Sequence, residues 1–481
     1  MMLLQTPSLF DADGWLNVAI DGLNDFLWTY LLIGALIVAG LYFTWRTRFV
    51  QFTMVGEMFR LLGDGFSRSG IDRRRLVSSF EAFSVSVATR VGTGNLAGVA
   101  TAIALGGPGA VFWMWMIALV GAATAFVEST LAQLFKRRAD DSYIGGPAYY
   151  ILHGLHSRWM AVTFAVLLTL TFGLSYNSIQ SNTICSAMDK AFGFDPLLTG
   201  VALAAVALLI VFGGIHRIAR VSSVLVPLMA LGYFVLAVVI VAMNIDALPR
   251  VMRLIVESAF GWGQATGGAI GMTMMMGIKR GLFSNEAGEG SAPNVAATAE
   301  VSHPVKQGLI QSLGVFTDTL LVCSCTAFII LVSGIYDGSG LNGIVLTQAS
   351  LESQVGNAGT WFVAVAILLF AFTSIIGNYY YGEANVLFLT RRPWVLMVYR
   401  VLSGGVLVMF GALASLEVVW SLGDVCMALL TACNLVAIVA LGRYAFTLLE
   451  DYRRQKRRGV AEPVFKASDM PELSQDLDAW R

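Results

Sequence analysis

The sequence predicts an all-α polytopic membrane protein of eleven transmembrane helices: one peripheral helix, then a five-plus-five inverted repeat in which the first helix of each repeat is broken. Three observations predict it. The 481 residues are 57% apolar and only 13% charged, with a mean hydropathy of +0.71, far from a soluble domain. The apolar residues gather into runs near the ~20 residues needed to cross a bilayer, bounded by charge, glycine and proline. Finally, Gly92-Thr93-Gly94-Asn95-Leu96-Ala97-Gly98-Val99-Ala100-Thr101-Ala102 returns 196 residues later as Gly288-Glu289-Gly290-Ser291-Ala292-Pro293-Asn294-Val295-Ala296-Ala297-Thr298, with no gap as far as Pro108 and Pro304.

Each copy lies inside a long apolar segment that its glycines interrupt. Carriers built from repeats hold substrate between discontinuous helices, where unwound backbone supplies N–H and C=O groups that lipid would leave unsatisfied. The plainer reading of one Gly-x-Gly is close helix packing. Its return at matched positions in two halves points to a transporter.

In chain order, the first crossing spans 26–45. The first repeat follows as 76–106 (broken), 109–135, 158–188, 197–213 and 219–243. The second follows as 272–300 (broken), 305–334, 360–389, 394–415 and 418–446. An odd number of crossings per repeat makes the second copy enter from the opposite side, so the halves are inverted. The domains are then an external N-terminal segment (1–25), the first helix with a basic cytoplasmic loop (26–75), the first repeat (76–243), an external connection (244–271), the second repeat (272–446) and a polar cytoplasmic tail (447–481).

Retention of positive charge in cytoplasmic loops sets the orientation. Arg46, Arg48, Arg60, Arg68, Arg73 to Arg75, Lys136 to Arg138, Arg217 with Arg220, Arg391 with Arg392, and the Arg453–Arg458 cluster fall on one side. That side is the cytoplasm, which puts the C-terminus on the cytoplasmic side of the cell membrane and the acidic N-terminus outside. Arg250, Arg253, Lys279 and Arg280 resist the pattern and are expected at or near the outer interface. With no lysine or arginine before Arg46, the N-terminus lacks the basic region of a signal peptide. A formal net charge of zero implies no nucleic-acid partner. The five cysteines lack zinc-site spacing and read as packing residues, as does the Met272–Met276 run.

Interrupted helices present free ends, whose N-termini attract a carboxylate and whose C-terminal carbonyls attract cations; a zwitterion fits such a site. Arg90 stands two residues before the first motif and Glu286 at the equivalent place before the second. Opposite charges near the bilayer centre need partners, and a buried ion pair between them and direct contact with substrate are both open. Asn177 and Gln180, three apart in a run of amides, share one helix face; they face the pathway or bond a neighbouring helix. Thr373 and Ser374 could supply hard oxygen ligands to a small cation, although hydroxyls also bond the backbone of their own turn.

Val91-Gly92-Thr93-Gly94-Asn95, Gly106-Gly107-Pro108-Gly109-Ala110-Val111-Phe112-Trp113-Met114-Trp115 and Ser284-Asn285-Glu286-Ala287-Gly288-Glu289-Gly290-Ser291-Ala292-Pro293 closely resemble the alanine or glycine:cation symporter family, over nearly all the membrane portion. The resemblance implies a leucine-transporter-like fold, sodium-coupled uptake of alanine or glycine by alternating access, and no cofactor beyond the coupling ion. It implies that the backbone around Thr93, Gly94 and Asn95 holds the substrate carboxylate. Asn177, Gln180, Asn378 and the second break, with Ser284 and Asn285, would complete the pocket. From the wider fold, sodium ligands carry over to the carbonyls of Ala88, Val91 and Phe370 and the hydroxyls of Thr373 and Ser374. Asn378 departs from the pattern, since many members carry tryptophan there, and the departure falls on the pocket wall. The alternative within this class is a proton-coupled or differently selective carrier, with Glu286, Glu289 and Asp318 as proton sites. A channel would lack saturable exchange, and an intramembrane enzyme would need a ligand spacing such as His-Glu-x-x-His, which is missing. The preferred substrate and the oligomeric state are not legible.

Overall fold

The computed structural model describes residues 15–68, 77–139, 142–212, 214–261, 267–473 and 475–480. Asp11, Asp13 and Arg73 to Arg75 lie outside them. The first crossing, α1 (Gly22–Arg46), buries Trp28, Leu32, Leu36 and Phe43 along one stripe, while Tyr30, Leu31, Val38 and Leu41 are exposed. An apolar exterior of this kind suits lipid, not water. The amphipathic α2 (Val55–Arg68) follows, with Met58 and Leu61 buried three apart. Burial pushes the Glu57 carboxyl up, but hydrogen bonds from Arg60 and Tyr452 and the charge of Arg60 and Lys456 outweigh it and hold it at about 2.

The first broken segment comes next. α3 (Ser79–Arg90) starts on a capping box in which Ser78 Oγ accepts from the Glu81 N–H and the Glu81 carboxylate accepts from the Ser78 N–H. α4 (Gly94–Gly106) continues past the break. α5 (Ala110–Leu134) leads into a hairpin of β1 (Arg137–Ala139) and β2 (Ser142–Ile144), antiparallel with Arg138 opposite Tyr143. The short α6 (Pro147–Gly154) precedes α7 (Arg158–Phe192), α8 (Pro196–Val211) and α9 (Arg217–Met243). The connection after α9 contains α10 (Leu248–Ala259), which buries Val251, Ile255 and Ala259 at one-turn intervals.

α11 (Gly267–Asn285) and α12 (Ala292–Ala296) flank the second break. α13 (Val305–Ser333), α14 (Gly343–Val355), α15 (Asn357–Leu389), α16 (Pro393–Leu413) and α17 (Leu416–Arg457) complete the bundle. α5 packs against α11, α13, α1 and α17, and α7 against α15 and α16. Among the described residues, seven helices (α1, α5, α7, α9, α13, α15 and α17) are long and apolar enough to cross a membrane, and α4, α8 and the stretch Pro393–Leu407 of α16 are shorter apolar helices.

The tail is polar in composition, yet it folds back onto the bundle. Phe465 N–H donates to Ser302 O at 2.9 Å, Trp480 Nε1 donates to Gln133 O at 3.0 Å, and Lys136 Nζ lies 4.8 Å from the Trp480 ring. Phe465, Met470, Leu473, Leu477 and Trp480 are buried. Anchors so sparse do not register as a hydrophobic run.

Candidate functional site at two helix breaks

The two Gly-x-Gly motifs break their helices for different physical reasons. At the first, no glycine has a positive φ. Glycine is needed there for close approach: a Cβ on Gly92 would lie 2.3 Å from Ser374 Oγ and 3.0 Å from Gln180 Oε1, and one on Gly94 would lie 3.0 Å from Ser284 Cα. At the second, Gly288 and Gly290 have φ of 96° and 81°, values that side chains rarely tolerate. Glu286 is itself left-handed, with φ 56°. A non-glycine residue held so costs ~1–3 kcal/mol, a strain that persists where surrounding structure over-determines it.

Freed backbone at the first break finds side-chain partners. Gly92 N–H donates to Asn95 Oδ1 at 2.9 Å. The Thr93 N–H and hydroxyl both donate to Gln180 Oε1, at 3.0 and 2.6 Å. Asn95 starts down a π-helical turn, Gly94–Gly98, of the kind that often marks functional sites. A second such turn, Phe316–Cys323 in α13, carries Asp318, which joins the two breaks. Its Oδ1 accepts from Asn95 Nδ2 at 2.7 Å, and its Oδ2 accepts from the Ser284 hydroxyl at 2.8 Å. Cys323 Sγ lies 3.3 Å from Asn95 Nδ2 and 3.2 Å from Ser284 Oγ. Asn285 bonds Thr319 Oγ1 at 3.2 Å and caps the Ala287 N–H at 3.0 Å.

Beside Gly92 the structure gathers an oxygen cluster. Ser374 Oγ lies 2.9 Å from Ala88 O and 3.1 Å from Phe370 O, and Thr373 Oγ1 donates to Phe370 O at 2.9 Å. All four residues are buried, as is Val91. Thr373 thus bonds its own turn, while Ser374 ties α15 to α3. Carbonyls and rotatable hydroxyls are hard, neutral donors that suit a small cation, and this set offers oxygen alone.

The expected pair of Arg90 and Glu286 is not made directly. Arg90 Nη1 donates to Gln311 O at 3.2 Å, and its Nε and Nη2 have no hydrogen-bond partner among the described residues. Glu286 Oε2 instead accepts from the Ser291 hydroxyl and, at 3.4 Å, from Thr89 Oγ1, so the link runs through the residue before Arg90. The physical reason is rotational: Gly314 leaves the space that Arg90 Nη1 fills, at 2.2 Å from where a Cβ would be. Glu289 accepts from Tyr176 OH at 3.2 Å. Sequence reasoning missed Glu128, whose carboxylate accepts from the Gly288 N–H at 3.2 Å and from Asn434 Nδ2 at 2.9 Å. A lone glutamate inside an otherwise uncharged apolar helix was the available signal.

The two amides of α7 separate. Gln180 reaches the break, whereas Asn177 Nδ2 bonds Gly173 O at 3.3 Å and Ser403 Oγ of α16 at 3.5 Å, an interhelical role. Asn378 is 1% exposed and neither of its amide atoms has a partner. Lys279 and Arg280, expected near the outer interface, are buried. They meet Asp424 Oδ2 at 3.3 and 2.6 Å, and the Arg280 guanidinium lies 4.2 Å from the Trp420 ring.

Residues 13–467 match the model of the sodium:alanine symporter family. The chain belongs to that family. Family membership makes it a multi-pass membrane transporter and not an enzyme. It is 51% identical to the probable sodium/glutamine symporter GlnT of Bacillus subtilis, over 95% of this chain and 94% of that one. Identity to the amino-acid carrier protein AlsT of the same organism is 47%, over 97% and 98%. Among solved structures, MhsT in complex with L-phenylalanine superposes with a TM-score of 0.56 at 13% identity, covering 84% of this chain and 93% of that one. That likeness shows a shared fold, the leucine-transporter-like one, and this family member is built on it.

Proposed function

We propose that this chain is a sodium-coupled symporter that imports a small neutral amino acid by alternating access. In this reading α4, α8, α16 and the broken α11–α12 segment cross the membrane along with the seven long helices. That makes eleven crossings, arranged as a peripheral helix and two inverted five-helix repeats, with the N-terminus outside and the C-terminus cytoplasmic. Sodium sits among the carbonyls of Ala88, Val91 and Phe370 and the hydroxyls of Thr373 and Ser374. The substrate carboxylate takes the donors of Thr93, Gly94 and Asn95, displacing Gln180 from the Thr93 N–H and hydroxyl that it now satisfies, and Ser284 and Asn285 position the second break through Asp318 and Thr319.

One observation carries the reading. The oxygen cluster and the first break are adjacent, with Ser374 Oγ 2.3 Å from the Cβ position of Gly92 and the Thr93 donors one residue on. An ion that orders Ala88 to Val91 therefore orders the anchor for the carboxylate, which is the coupling free energy that symport requires. Alanine and glycine are the substrates expected from the sequence, and the relatives' names divide among glutamine, alanine and unspecified amino acids. Proteoliposome uptake of labelled alanine, glycine and glutamine under sodium, potassium and proton gradients tests the reading. Accumulation that follows an inward sodium gradient supports it, and equal accumulation with potassium substituted overturns it. A proton-coupled variant is the second reading, favoured by the burial of Glu128, Glu286, Glu289 and Asp318 around the second break. Sodium-independent uptake driven by a proton gradient would establish that variant.

A further inference from the structure

We infer that Asn378 determines substrate specificity and that the side chain it recognises is a primary carboxamide, as in glutamine. The inference rests on the symporter reading of the same site and names the class of neutral amino acid that the site prefers.

The placement of Asn378 follows from helix register. On α15, Ser374, Asn378, Tyr381 and Asn385 recur at intervals of four, three and four and so form one stripe. Ser374 bonds Ala88 O at 2.9 Å, Tyr381 OH lies 3.1 Å from Thr89 Oγ1, and Asn385 Nδ2 donates to Asn294 Oδ1 of α12 at 3.0 Å. Every other member of the stripe touches a broken helix, and Asn378 lies between them.

Its level along the site is set by α7, which runs antiparallel to α15. Gln180 and Ser374 meet at Gly92, while the rings of Phe172 and Tyr381 lie 5.4 Å apart. Halfway between these contacts Tyr176 stands level with residues 377 and 378. The Tyr176 ring is 4.7 Å from Phe283, which is 4.7 Å from Trp420, and its hydroxyl holds Glu289. Asn378 is therefore one helical turn, ~5.4 Å, beyond the Ser374–Gly92–Gln180 junction, at the level of Tyr176.

Both amide atoms of Asn378 are buried without a partner among the described residues. Nearly all buried polar side-chain atoms are satisfied, and an orphaned pair is costly to maintain. A primary carboxamide answers both at once: its oxygen accepts from Nδ2 and its NH2 donates to Oδ1. A carboxylate supplies no donor and would face Glu286 and Glu289. An apolar chain supplies neither group, and alanine is too short to reach. With its carboxylate at Thr93, glutamine has two methylenes with which to span one helical turn. A site built to hydrogen-bond a substrate group rejects analogues lacking it far more strongly than an apolar pocket rejects an extra methylene.

Sodium-driven uptake in proteoliposomes, measured for glutamine and challenged with glutamate, norleucine and alanine, tests this on the unmodified protein. Glutamine should half-saturate transport about ten- to a hundredfold below the other three, from two hydrogen bonds of ordinary strength. In Asn378→Leu the glutamine advantage should collapse to within about threefold while the sodium concentration for half-maximal transport stays near its original value. Sodium-driven uptake that prefers alanine or norleucine to glutamine overturns the inference and leaves the symporter reading standing. So does a glutamine advantage that survives in Asn378→Leu. If no neutral amino acid is taken up on a sodium gradient, the symporter reading itself fails, and this inference with it.

Discussion

Alanine in place of Gly92 is the sharpest probe of the link between ion and substrate. Gly92 does not have a positive φ, so alanine adds no backbone strain and the effect comes from contact alone. The new methyl would sit 2.3 Å from Ser374 Oγ, 3.2 Å from Ser374 Cβ and 3.0 Å from Gln180 Oε1. Ser374 has to retreat by about 1 Å to restore ordinary van der Waals separation. It is held within α15 and bonded to Ala88 O and Phe370 O, so retreat pulls its hydroxyl off the oxygen cluster. Overpacking of this size costs ~1–3 kcal/mol. If that falls on the ion-bound state, the sodium concentration for half-maximal uptake rises about 5- to 150-fold. A sodium titration of uptake in proteoliposomes reads the shift directly. A Gly92→Ala protein that reconstitutes normally and keeps its sodium response within twofold would refute the reasoning, because the methyl would then have been absorbed without moving Ser374.

Three other outcomes are expected. Asp318→Ala deprives Asn95 Nδ2 and the Ser284 hydroxyl of their shared acceptor, at ~1–3 kcal/mol for each group left unsatisfied; it should lower the melting temperature and abolish uptake, and an active, fully stable variant would show that the two breaks are held together by other contacts. Asp424→Asn leaves Lys279 and Arg280 buried without a counter-charge and should cost ~3–5 kcal/mol, read by thermal unfolding in detergent, with Asp424→Glu recovering part of the loss; equal melting of Asp424→Asn and the parent would count against a buried triad. Trp480→Ala, by the ~3–5 kcal/mol scale of buried tryptophan truncation, should release the tail and open the bonds after Arg458 and Lys466 to trypsin in inside-out vesicles; unchanged protection would mean that the tail docks through Phe465 and the ion pair of Glu462 with Lys306 instead.

Much of the site was legible in local sequence because its features are local. A Gly-x-Gly inside an apolar run marks a break wherever it occurs; Thr93 and Asn95 lie at the first break, Ser284 at the end of the helix that leads into the second, and Ser374 against Gly92. The reason for each glycine was not legible. The same motif serves close approach to Ser374 and Ser284 at one break and left-handed backbone at the other, a difference that depends on what packs alongside.

What the sequence alone determined is where apolar segments begin and end and where they are interrupted, because crossing length and helix-breaking residues act within one segment. Only the tertiary structure decided which polar group meets which. A helix turns by about 100° per residue, so Asn177 and Gln180 can share a broad face and still end on different neighbours, Ser403 and Thr93. Arg90 likewise reaches Gln311 and not Glu286, while Lys279 and Arg280 find Asp424 more than a hundred residues away. In a soluble helix, water orients the polar face and leaves a periodic trace. Inside this bundle both sides of a polar residue are protein, so the partner is set by rotation and close packing of whole helices, which no single stretch of chain records.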